Sequence, residues 1–135
     1  MTEIIDDRRC YVCGELNEQG LQLAFEPDGD DGARTTVTLA SHLQGYRDVA
    51  HGGIVMMLLD EVMAHACRFI NEKAMTAAVD VRFRQPVPLG APLTVRGRYK
   101  ERRRKFLYLE GTVSLGEVVL ASAEGTFVSL GPLVA

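Results

Sequence analysis

HGGIVMMLLDEVMAHACRFIN, His51 to Asn71, decides how the rest of the chain is read. After Gly53 neither Gly nor Pro recurs until Pro86, and Met, Leu and Ala dominate, so the propensities predict a helix over residues 54–70. Its apolar residues do not keep to one stripe. Ile54, Val55, Met57, Leu58, Val62 and Phe69 fall on different sides, the pattern of a helix buried almost all round. An ionised carboxylate inside such a helix is strongly disfavoured unless it is paired, hydrogen-bonded or turned to a polar cleft. That makes Asp60 a candidate site residue.

The start of the helix points the same way. Gly52 and Gly53 admit close backbone approach, and the first N–H groups of a helix have no partner inside it. With the helix dipole behind them, such donors suit a polarised carbonyl or a developing oxyanion. Asp60 lies about two turns beyond Gly53, roughly 10 Å along the axis. One chain is therefore not expected to bring its own donors and its own carboxylate to one atom, and the spacing predicts a site completed by a second copy.

Outward from this stretch, 135 residues suit one domain with an ordinary core, and 47% hydrophobic with 24% charged residues is a globular composition. A formal charge of −3 gives no reason to expect nucleic acid. Asp60, Glu61, His65 and Arg68 interrupt the best apolar run, so no bilayer span is expected. MTEIIDDRRC lacks the apolar centre of a signal peptide, which leaves the cytoplasm as the expected location. Three cysteines do not make a disulfide framework. Cys10 and Cys13, as CYVC, supply two ligands where zinc takes four, so a plain turn with two small thiols is expected and no metal site.

Leu21, Leu23 and Phe25 alternate before Pro27-Asp28-Gly29, predicting a strand that ends there, and Ala33–Ala40 predicts its hairpin partner. Ser41–Ala50 is a loop leading to His51. After a turn at Asn71-Glu72-Lys73, strands are predicted at Thr76–Gln85, Leu93–Lys100, Phe106–Leu115 and Val118–Leu130, with Pro86, Pro88, Gly90 and Pro92 in a rigid connection. The predicted order is two strands, one long helix and a four-strand meander. This is an α+β chain with an antiparallel β-sheet wrapped around one long central helix.

HGGIVMMLLDE, preceded by QGYRDVA and followed by MTAAVDVRFRQPVPLG, resembles the hotdog-fold acyl-CoA thioesterases, in the PaaI-like branch of the 4-hydroxybenzoyl-CoA thioesterase superfamily. CYVCGELNEQGLQLAF is similar to an N-terminal extension found in a subgroup of them, so residues 1–19 are expected to be an extension on a single hotdog domain. The resemblance implies an acyl-CoA thioester hydrolase working as a homodimer or homotetramer without a cofactor. It implies Asp60 as general base or nucleophile, the Gly52 N–H as oxyanion-type donor with His51 beside it, and Thr76 as a hydroxyl that assists water. Gly53, Gln44, Gly45 and Met57 would then line the substrate. Some relatives carry an Asn six residues before the His, where this chain has Gly45.

Other residues have plainer readings. Glu61 and His65, four apart, suit a structural pair, and Cys67 a core position. The Arg102-Arg103-Arg104 run is read as either a contact for the phosphates of coenzyme A or a solvated turn. The alternatives to hydrolysis are a non-catalytic acyl-CoA-binding module and an acyl-thioester dehydratase or hydratase.

Overall fold

The computed structural model describes residues 3–134. In chain order its elements are β1 (Glu26–Asp28), β2 (Gly32–Thr38), a 3-10 turn (Ser41–Leu43), α1 (Gly52–Phe69), β3 (Glu72–Phe83), β4 (Pro92–Arg103), β5 (Phe106–Leu115) and β6 (Val118–Pro132). All strands join one antiparallel sheet in the order β1-β2-β4-β5-β6-β3, and α1 lies across one face of it. The core lies between the two. Val55, Leu58, Leu59, Val62, Met63 and Ala66 of the helix are buried against residues such as Leu93, Val95, Leu107, Leu109, Val113 and Phe127 of the sheet. Two glycines set how closely the layers approach: a Cβ at Gly97 would lie 2.8 Å from the Val62 carbonyl oxygen, and one at Gly125 2.8 Å from the Met63 sulfur.

The α+β class, the central helix and β5 agree with the sequence reading. Three features differ. Residues 21–25 form no strand. The N–H groups of Leu21 and Leu23 donate instead to the Tyr11 and Val12 carbonyls, both at 2.9 Å, so their alternation packs the N-terminal segment onto the core while β1 begins at Glu26. The four strands after the helix are no simple meander, since β3 pairs with β6 at one edge and only β4, β5 and β6 run side by side. The proline-rich stretch from 84 to 91 makes the crossover, held by Arg84 N–H to Leu120 O at 2.8 Å and Ala50 N–H to Val87 O at 2.8 Å. Finally, α1 is not buried all round. Met56 is 44% exposed, Phe83 on β3 beside it 51%, and Met75, on the other face of β3, 48%. An apolar helix face and an apolar edge strand are thus left open together.

Candidate active site

At the start of α1, His51 is the N-cap, and its Nδ1 accepts the Gly53 N–H at 2.9 Å. Ile54 and Val55 donate to the His51 carbonyl. The Gly52 N–H has no partner among the described residues, which leaves it as a donor for an incoming group. A Cβ at Gly52 would meet Phe83 at an ordinary 3.7 Å, so packing within the chain does not demand glycine there. The preceding loop is tightly closed. His51 N–H donates to Leu43 O at 2.9 Å, Gly45 N–H to Val49 O at 2.8 Å, and a Cβ at Gly45 would lie 3.2 Å from the His51 Cα. Gln44 uses its side-chain oxygen on the Asp48 N–H at 3.2 Å, holding its own loop.

Asp60 sits half-buried in the middle of α1. The Thr76 hydroxyl of β3 donates to its Oδ1 at 2.6 Å. Burial pushes the Asp60 carboxyl above the ordinary aspartate range, the Thr76 hydrogen bond works against that rise, and the charge of Glu61 adds to it. The contact depends on an irregularity in β3. Val79 pairs with Gly125 and Val81 with Ala123, on the helix side of the sheet, so by simple alternation Thr76 would point to the other side. A register shift between Thr76 and Ala78 reverses the parity. Thr76 pairs with the buried Phe127 and faces the helix.

Residues 48–122, which include His51, Gly52, Asp60 and Thr76, match the model of the thioesterase superfamily. The chain belongs to this superfamily. Acyl-coenzyme A thioesterase THEM4 of Mus musculus is 28% identical over 120 residues, 85% of this chain and 52% of that protein. Its Rattus norvegicus counterpart is 29% identical over 93 residues, 67% of this chain and 40% of that protein. This chain thus spans about half the length, or less, of the curated relatives it matches. Among solved structures, protein RHA08564, a thioesterase superfamily protein, superposes with TM-score 0.84 at 32% identity, covering 90% of this chain and 60% of that one. A Streptococcus pneumoniae hypothetical thioesterase protein solved with coenzyme A superposes with TM-score 0.76 at 18% identity, over 82% of this chain and 90% of that one. The antiparallel sheet around a single long helix is the hotdog fold of these thioesterases.

Within this superfamily member the basic run stands apart from Asp60. Arg102 pairs with Glu72, the first residue of β3, and Arg103 pairs with Glu101 at 2.9 Å. Arg104, in the turn between β4 and β5, has no ion-pair partner among the described residues. Met57 is half-buried on α1. Glu61 turns away from Asp60 and lies 3.3 Å from His65, as their spacing predicts. Two clefts of about 620 and 380 Å³ indent the chain, the larger on the sheet face away from the helix, between residues such as Arg82, Arg96, Glu110 and Glu124. Neither reaches Asp60 or Gly52. What the sequence reading missed was the open apolar face of Met56 and Phe83, because its pattern alone does not distinguish core from uncovered surface.

Proposed function

We propose that this chain hydrolyses acyl-CoA thioesters to a carboxylic acid and free coenzyme A, in sites shared by two copies. The observation that carries the reading is the Asp60–Thr76 pair, a half-buried carboxylate with a raised pKa set beside an apolar face that no described residue covers. In this scheme the free Gly52 N–H of one copy polarises the thioester carbonyl, and Asp60 of the other acts as general base or nucleophile. On the general-base route the carboxylate takes the proton of the attacking water, the C–S bond breaks, and the thiolate of coenzyme A leaves and is protonated. The name of the THEM4 relatives and the coenzyme A bound to the S. pneumoniae protein support the substrate class.

Gly52 and Asp60 are eight residues apart on α1, about 12 Å at the usual rise, while the two groups must act on one carbonyl. Two copies packed with their helices antiparallel bring them together, cover Met56 and Phe83, and pair the free edge of β3. Phe69, at the end of α1, then lies about 13 Å beyond Asp60, and Arg102 anchors the basic turn close to that end through Glu72. That separation suits a thioester at Asp60 with nucleotide phosphates at Arg104. The test is a panel of short, long and aromatic acyl-CoAs read by thiol release. Turnover of at least one member is expected, and the best member defines the acyl pocket. Binding without thiol release across the whole panel would replace hydrolysis with the binding-module reading.

A further inference from the structure

The N-terminal turn, read from sequence as two small thiols in a plain bend, meets the far side of α1. Cys10 Sγ, Cys13 Sγ and a Glu61 carboxylate oxygen all lie within 4.8 Å of one another, with Cys10 Sγ 3.5 Å from Glu61 Oε1. Beside them is His65. Its Nε2 is buried and lies 3.3 Å from Glu61 Oε1, a contact short of a well-aligned hydrogen bond, which leaves the nitrogen able to take a closer partner. The ring itself is fixed by stacking on Phe25, with centroids 4.3 Å apart.

The turn is shaped around sulfur. The N–H groups of Val12 and Cys13 both point at Cys10 Sγ, at 3.4 Å each. Gly14 closes the turn with its N–H on Cys10 O at 2.8 Å, and a Cβ there would lie 2.4 Å from the Cys10 nitrogen, so only glycine fits. The cleft of about 380 Å³ opens onto all four side chains and gives an ion a way in.

We infer that Cys10, Cys13, Glu61 and His65 form a binding site for a thiophilic divalent cation of the zinc class, which fastens the N-terminal segment to the middle of α1. Two sulfurs, one carboxylate oxygen and one imidazole nitrogen make a four-coordinate set of the kind zinc accepts. The edges of such a tetrahedron are about 3.3–3.8 Å, so Cys10, Cys13 and Glu61 close in by up to about 1 Å from their present spacing, and His65, already 3.3 Å from Glu61, supplies the fourth ligand. Glu61 follows Asp60 directly, so the ion braces the helix next to the proposed catalytic carboxylate from the opposite side. The site rests on none of the catalytic assignment.

The test uses the full chain, purified under reducing conditions, with zinc and cobalt(II) as probes. After zinc supplementation and removal of free metal, close to one zinc per chain is expected by elemental analysis. In chelator-stripped protein, cobalt(II) should produce the visible bands of a tetrahedral site with thiolate-to-cobalt charge transfer, and zinc should bleach them. Cys10→Ser and Cys13→Ser should each weaken cobalt binding by more than about a hundredfold, beyond the loss usual for an outer-shell change, and His65→Asn should weaken it as well. Folded, reduced wild-type protein that takes up neither metal overturns the proposal without recourse to any variant. So do cobalt bands that survive Cys13→Ser, or a Cys10–Cys13 disulfide whose reduction restores no metal uptake. Turnover enters none of these readouts, so their failure is separable from failure of the hydrolase reading.

Discussion

At the level of single residues, the chemistry turns on Asp60 and on the hydroxyl that holds it. Asp60→Asn keeps the shape and removes both base and nucleophile, so turnover of the best acyl-CoA should fall by about 10² or more with binding largely kept. Near-wild-type turnover, measured by thiol release, would remove Asp60 from the mechanism. Thr76→Val keeps the volume and deletes the 2.6 Å hydrogen bond. A bond to a charged group contributes about 1.5 kcal/mol or more, so a loss of about tenfold in turnover is expected if it orients the carboxylate. A rise in KM with turnover unchanged would instead make Thr76 a substrate contact. The identity of both residues was legible in the sequence, Asp60 as a charge in an apolar helix and Thr76 through the family resemblance. Their contact was not, because it depends on the extra residue at position 77 that turns Thr76 toward the helix.

Among the elements, the turn between β4 and β5 carries the basic run, and its three arginines are not equivalent. Arg102 and Arg103 already have carboxylate partners, whereas Arg104 has none among the described residues. Replacing all three by Gln should raise KM for acyl-CoA while leaving hydrolysis of a small thioester without the nucleotide unchanged. Of the single variants, Arg104→Gln should account for most of the rise. Equal loss on both substrates would point to a folding defect. Arg102→Gln has a separate effect, since it strands half-buried Glu72, which also accepts a hydrogen bond from Ser129 at 2.6 Å. Because Arg102 is itself partly exposed, the expected loss in urea unfolding is no more than about 1 kcal/mol.

For the whole molecule, the open helix face and the free β3 edge predict that activity requires an assembled pair. Inactive Asp60→Asn chains mixed with inactive Gly52→Pro chains should complement each other. Proline suits this position: Gly52 is the first residue of α1, where a missing N–H breaks no helical bond, and His51 has φ −58° and ψ 135°, which a following proline tolerates. With random exchange at equal amounts, half the dimers are mixed and each regains one intact site, so about a quarter of wild-type activity should return. No recovery, with exchange confirmed independently, would place the site within one chain or move the donor away from Gly52.

The sequence by itself determined what local periodicity can encode: the helix from its Gly- and Pro-free apolar run, its start at the glycine pair, strand β5 from alternation, and the separation of Gly52 from Asp60 that argues for a shared site. Tertiary structure decided what depends on residues far apart in the chain. It sent β3 to the edge beside β6, reversed the face of Thr76, left Met56, Met75 and Phe83 uncovered, and brought Cys10 and Cys13 to Glu61, some 50 residues away. The physical reason is that side-chain period fixes which way a residue points along its own element, whereas sheet order and bulges fix which element it meets.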